Sequence, residues 1–363
     1  MDRRRQRNAK AWTVAAATVL IAAAAVLSAA PPPATRPAAA TRADFWHLID
    51  RPRVPLDAVE RPLASADPAV AESHVTFTSE PGQPVPVLTM KPVAATGRLP
   101  VVIVLHGTGG TKEGNRSMMA LLVHAGFLAV APDGRFHGER CPAGRGTAAY
   151  DAAIAQAYRD GRSHPWLYDS VFDVTRLIDY LQTRPDVDAR RIGLMGFSKG
   201  GMETYLTAAI DPRVAAAVPC IAIQDFRWEL DHDAWHRRIG TVQAAYDAAA
   251  KQSGADPKDP RFVQQFYDRV IPGIDGEFDC PAMLPLIAPR PLLAVSGADD
   301  PINPLPSAEI AAAEARAAYA AAGVPDRFDF VVQPKVGHDV KPKYRQQIAA
   351  WFAKQLRGPT TDQ

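Results

Sequence analysis

The stretch Arg191-Ile192-Gly193-Leu194-Met195-Gly196-Phe197-Ser198-Lys199-Gly200-Gly201 decides how the rest of this 363-residue chain is read. Its first five residues are short and apolar, as in a buried parallel strand, and Met202 to Ala209 behind it contains no Gly or Pro. That is a strand, a sharp turn and a helix. The G-x-S-x-G at the turn places a serine on strained backbone, with small residues where strand and helix approach closely. A helix starting there aims its free N–H groups at the same point, which suits an oxyanion. Ser198 is therefore the candidate nucleophile.

Outward from this turn, apolar runs at Leu99 to Leu105, Phe127 to Ala131, Val214 to Val218, Pro291 to Val295 and Phe328 to Val332 alternate with helical or inserted material. Such βα alternation predicts a mostly parallel, doubly wound sheet covered on both faces, an α/β fold. His74 to Phe77 and Val85 to Met90, joined by Glu80-Pro81-Gly82, read as a leading antiparallel pair. Apolar residues at three- and four-residue steps predict a helix over Trp166 to Gln182. Ser307 to Ala322 and Pro342 to Leu356 are two more. The interval 221–289 is too long for a simple crossover and reads as a helical cap insertion. Its Phe226, Trp228, Trp235, Phe262, Phe266 and Tyr267 either wall a pocket at the carboxyl edge of the sheet or form the insertion's own core.

The amino terminus differs from the rest. Arg3, Arg4, Arg5, Arg7 and Lys10 precede the uncharged, Ala-rich stretch Ala11 to Leu27, so residues 1–30 read as an export signal. That stretch is 17 residues long, short for a membrane span, so cleavage is favoured over a retained anchor. Secretion or a periplasmic, cell-envelope location follows, with membrane contact only through an uncleaved N-terminus. Residues 31–44, rich in Pro and Ala, read as a disordered linker, and 45–358 as the folded domain. The formal net charge is +2. The signal alone carries +4, so the remainder is slightly acidic and no nucleic-acid partner is implied.

Cys141, Cys220 and Cys280 are odd in number. In an oxidising compartment Cys220–Cys280 is the expected pair, since these residues bracket the insertion; three buried thiols are the alternative. No metal-ligand spacing occurs, and no cofactor is called for.

A serine nucleophile needs a base, a carboxylate to orient that base, and two N–H donors for the oxyanion. His338, in Val336-Gly337-His338-Asp339, follows the last strand and reaches the edge where Ser198 sits. Either Asp299 or Asp300 in Ser296-Gly297-Ala298-Asp299-Asp300-Pro301 reaches it from the preceding strand. Leu105-His106-Gly107-Thr108-Gly109-Gly110 supplies a glycine-rich loop, so the donors are the N–H groups of Thr108 and Lys199. His106 is expected to be a packed structural residue, and the Lys199 side chain to be solvated.

The order Ser198, Asp, His338 behind an H-G-x-G-G loop resembles that of α/β-hydrolases. From about Val75 to Leu356 the chain resembles their dienelactone-hydrolase-like and acetyl-xylan-esterase-like branch, notably at 131–140 (APDGRFHGER) and 286–293 (LIAPRPLL). That resemblance implies the α/β-hydrolase fold and a serine esterase acting on a small-molecule or polysaccharide ester. The family's G-x-x-D-P segment matches Gly297 to Pro301, which implies Asp300 as the acid. A serine stands where dienelactone hydrolases carry cysteine, which turns the expectation toward ester hydrolysis. Two other readings differ in class. A prolyl-oligopeptidase-like peptidase shares the triad but normally carries a large preceding domain, and a non-catalytic binding protein would keep the fold without needing the triad. A dehalogenase would require a carboxylate at 198.

Overall fold

A computed structural model describes residues 37–141 and 146–357. One nine-stranded sheet organises them, with strands β1 (Val59–Leu63), β2 (Val70–Glu80), β3 (Gln83–Pro92), β4 (Leu99–Leu105), β5 (Leu128–Pro132), β6 (Val187–Phe197), β7 (Val214–Cys220), β8 (Leu292–Gly297) and β9 (Phe328–Gln333) in the order 1-2-3-5-4-6-7-8-9. The pairs among β1, β2, β3 and β5 along that edge are antiparallel, and all pairs from β5 through β4 to β9 are parallel. The parallel strands carry apolar residues on both faces because helices cover both. In β4, Val101, Ile103 and Leu105 enter one core while Val102 and Val104 enter the other.

The second of these cores lies under α2 (Arg116–His124) and α12 (Pro342–Arg357). A methyl group on Gly193 of β6 would lie 2.7 Å from Phe352 of α12, so the helix sits directly on the strand. Opposite, the larger core gathers α1 (Ala38–Ile49), α3 (Ala148–Asp160), α4 (Tyr168–Thr183), α5 (Lys199–Ile210) and α11 (Leu305–Ala321). The insertion contributes α6 (Phe226–Asp231), α7 (His236–Ile239), α8 (Gln243–Ser253), α9 (Pro260–Val270) and α10 (Cys280–Met283) to the same core. Among the described residues no helix is long and apolar enough to cross a membrane.

Two expectations need correction. The linker expected over 31–44 gives way to helix from Ala38, and the compact unit begins at Pro37, not at residue 45. Alanine's high helix propensity lets α1 extend back from its anchors into the Ala-rich tract. Phe45 packs edge-on against Tyr168 and Phe278 at 4.9 and 5.0 Å, and the Arg42 guanidinium donates to the carbonyls of Ala209 (2.9 Å) and Leu286 (2.6 Å). The signal expected at 1–30 lies outside the described residues.

Cys220 and Cys280 do not form a disulfide; both are free, buried thiols. They belong to the cores on opposite sides of the sheet, which separates them by the sheet itself. Burial raises both thiol pKa values, keeping them protonated and inert. Of the two roles expected for the insertion's aromatics, forming a core is the one most of them take. Tyr246, Phe262, Phe266 and Tyr267 are buried against one another and against Tyr158 of α3 and Trp166, so its core is continuous with that of the main domain. Only Trp228 among its aromatics is half-buried, stacked on His232 at 4.3 Å.

Strand β1 escaped the sequence pattern because all five residues are exposed and Pro62 interrupts it, as an edge strand tolerates. If α1 is part of the domain, Phe45→Ala should lower unfolding free energy by about 3–5 kcal/mol, measured by urea denaturation. An unchanged midpoint would show that α1 is not docked in solution.

Candidate active site

Parallel register brings the strand ends together. Leu105 pairs with Gly196, Phe197 with Cys220, Cys220 with Val295 and Gly297 with Gln333, so the loops after β4, β6, β8 and β9 leave the sheet at one edge. Ser198 sits between β6 and α5 with φ 54° and ψ −118°, a backbone conformation that costs about 1–3 kcal/mol for a non-glycine residue. Its N–H donates to Cys220 O (2.9 Å) and its carbonyl accepts from Met202 N (3.0 Å). A Cβ on Gly196 would lie 2.2 Å from Gly200 O, one on Gly200 2.5 Å from Leu105 O, and one on Gly201 2.4 Å from the Cβ of Ala222. The turn can exist only with these three glycines.

Ser198, His338 and Asp300 form one hydrogen-bonded chain. His338 Nε2 lies 2.7 Å from Ser198 Oγ, and His338 Nδ1 lies 2.8 Å from Asp300 Oδ2. A carboxylate on Nδ1 fixes that nitrogen as N–H and leaves Nε2 to accept the serine proton. The other carboxylate oxygen, Oδ1, accepts from Ile302 N (2.8 Å) and Asn303 N (3.1 Å), and the Asp300 side chain is fully buried. Asp299 is exposed, and its backbone N–H donates to Val336 O at 2.9 Å. It ties the β8 loop to the β9 loop without reaching the histidine.

The loop after β4 passes beside the serine. A Cβ on Gly107 would come within 3.4 Å of Ser198 Cβ, which brings Thr108 to the site, and Gly110 N closes the loop on Gly107 O (3.0 Å). Lys199 is the first residue of α5, so its N–H has no acceptor within the helix. His106 is a packed residue: Gly134 N–H donates to its Nε2 (2.9 Å), and its Nδ1 faces Gly107 O at 2.8 Å. That pairing makes Nδ1 the protonated nitrogen of a neutral ring and stitches the β4 loop to the β5 loop.

The Lys199 side chain contradicts the expectation that it is solvated. It is 1% exposed, and its Nζ lies 2.5 Å from Glu203 Oε1, one helical turn on. The ammonium also faces the Tyr150 ring, 5.9 Å from its centroid, and the i,i+4 Lys–Glu spacing was the sequence signal for the pair. Behind this pair lies a second missed feature. Asp133 accepts from Lys112 N (2.9 Å), Lys112 Nζ (2.8 Å) and Glu139 N (3.0 Å), while Arg135 and Arg140 both engage Asp173. The segment 131–140 is thus a buried ionic frame beneath the site.

Within this frame burial, together with Lys199, depresses two histidines. His106 is held well below its ordinary value, and His137 is lowered to about 3. Burial conversely raises the Glu203 carboxyl, against the pull of Lys199.

Residues 85–245 match the dienelactone hydrolase family model. Over that segment the chain is similar to dienelactone hydrolases, and its nine-stranded, mostly parallel sheet has the α/β-hydrolase fold. By sequence the hydrolase is 26% identical to the YtaP protein of Bacillus subtilis over 283 residues, 75% of this chain and 83% of that one. A shorter match, 28% over 167 residues, links 44% of the chain to 38% of 4-O-methyl-glucuronoyl methylesterase 1 of Wolfiporia cocos. Among solved structures the acetyl xylan esterase of Paenibacillus sp. R4 superposes with a TM-score of 0.64 at 20% identity, covering 88% of this chain and 92% of that one; at this identity the likeness is one of fold.

Two outcomes are expected. Asp300→Asn should cut ester turnover by up to about 10⁴, whereas Asp299→Asn should retain most of it, both assayed on one ester with folding verified. The reverse ranking would assign the carboxylate to Asp299. In the second, folded-state pKa values of His106 and His137 lie below the unfolded value near 6.5, so the unfolded chain binds more protons as pH falls. Their stabilisation is complete above pH ~6.5 and is lost below it, by about 1.4 kcal/mol per pH unit for each histidine. His137→Gln should flatten the decline in denaturation midpoint between pH 6.5 and 4; an unchanged slope would refute the assignment.

Proposed function

We propose that the protein is an exported serine esterase that hydrolyses carboxylic esters through an acyl-enzyme. The observation that carries this reading is the hydrogen-bonded chain Ser198–His338–Asp300 at the strained turn.

Ser198 Oγ attacks the ester carbonyl carbon as its proton passes to His338 Nε2. Negative charge then builds on the carbonyl oxygen, where the N–H groups of Thr108 and Lys199 receive it. Asp300 stays ionised and stabilises the imidazolium, which next protonates the departing alkoxide as the carbon–oxygen bond breaks. Water attacks the acyl carbon as His338 takes its proton, and the second tetrahedral intermediate collapses as His338 returns that proton to Ser198 Oγ, releasing the free acid. No step calls on a cofactor.

The substrate reading is an ester of a small molecule or a polysaccharide. It is supported by the sequence relative that is a glucuronoyl methylesterase and by the fold shared with an acetyl xylan esterase. Export rests on the basic and apolar residues within positions 1–30.

A fluorophosphonate should label Ser198, and the protein should cleave short p-nitrophenyl esters or acetylated xylan in preference to a peptide amide. Ser198→Ala should lose labelling and about 10⁶ in turnover. Undiminished labelling of that variant would sink the mechanism, and faster amide than ester cleavage would make the protein a peptidase.

A further inference from the structure

The buried acid Asp300 is held by a device that reaches into the insertion. Arg238 of α7 is 1% exposed, yet its Nη2 donates to two amide oxygens, Gln224 Oε1 and Asn303 Oδ1 (2.8 Å), and to no carboxylate in that pairing. Asn303 Nδ2 donates to the same Gln224 oxygen at 2.6 Å, so the three side chains close a triangle. Gln224 lies at the start of the insertion just after β7, Arg238 further into it on α7, and Asn303 in the loop after β8, places that only the fold brings together. The backbone N–H of Asn303 is one of the two that hold Asp300 Oδ1.

Taking a guanidinium out of water is costly, and an apolar side chain of similar volume at such a place is often neutral or stabilising, so stability alone does not call for an arginine here. Glu229, the nearby acid in the same layer, does not offset that cost. Burial pushes its carboxyl up to about 8 against the pull of Arg238, so it is largely neutral at pH 7.

We propose that Arg238 is a positioning residue, which fixes Asn303 and thereby aims the Asp300 carboxylate at His338. The chain of contacts runs Arg238 Nη2 to Asn303 Oδ1, Asn303 N–H to Asp300 Oδ1, and Asp300 Oδ2 to His338 Nδ1. Because one carboxylate oxygen is pinned by backbone, the other has a single orientation from which to meet the imidazole. The inference rests on the esterase reading for its kinetic consequence, but its geometric content is independent of activity.

The test pairs a spectroscopic readout with kinetics on the full chain. The proton of His338 Nδ1–H, bound to a carboxylate, resonates far downfield, and its assignment follows from its loss in Asp300→Asn. In Arg238→Met and in Asn303→Ala that resonance should shift or broaden, and kcat should fall by about 10²-fold with KM little changed. Arg238→Lys, which restores one donor, should recover part of the loss. In the Asp300→Asn background, Arg238→Met should cost no more than about twofold, because the two act through one bond. An unmoved resonance in either folded variant, or a full additional loss in that background, would overturn the inference. Should Arg238→Met fail to fold, Asn303→Ala decides alone. Absence of ester turnover in the wild type, with the resonance present and sensitive to Arg238, would refute the esterase reading and leave the positioning intact.

Discussion

Backbone crowding at residues 196–201 is the constraint from which the rest follows. Gly196, Gly200 and Gly201 sit where β6, α5, the loop after β4 and the segment after β7 all meet, and each position lacks the volume of one methyl group. Close packing there forces Ser198 into the left-handed region, and two hydrogen bonds, from its N–H to Cys220 and from Met202 to its carbonyl, hold it. The strain is met by the surrounding sheet, whose register is locked by cores on both faces. Placement of the serine and sheet packing are in this sense one problem solved by three glycines.

Electrostatics repeats the pattern one layer down. Asp133, Asp173, Lys199 and Glu203 are each buried and each matched by an opposite charge or by backbone N–H groups. Such pairs add little net stability against an apolar core, but breaking one leaves a buried charge exposed to no solvent. The frame therefore resists piecemeal change, and it keeps His106 and His137 neutral beside the loop that carries Thr108.

The sequence made the parallel core legible because β4, β5, β7, much of β8 and the second half of β6 are apolar runs bounded by turn signals, as in a sheet covered on both faces. Ser198 and His338 were legible for a related reason, since a serine between glycines and a histidine after the last strand both point to one edge. Asp300 was not separable from Asp299 by residue type; the family segment chose it, and the backbone N–H groups of Ile302 and Asn303 show what distinguishes the two positions. Misreadings share a cause as well. The Ala-rich tract before Phe45, the Cys220–Cys280 spacing and the charge of Lys199 were judged by composition or proximity along the chain. In each case the outcome was set by what packs against the residue: Tyr168 and Phe278, the sheet, and Glu203.

The order of the strands has a temporal side. Ser198 is bonded to a histidine 140 positions later in the chain, on the loop after the final strand. A nascent chain that has displayed its serine, its glycine loop and even its buried acid still lacks a base. On the proposed roles, reactivity is switched on last, when β9 adds to the growing sheet edge, and any product that stops short of His338 is chemically silent.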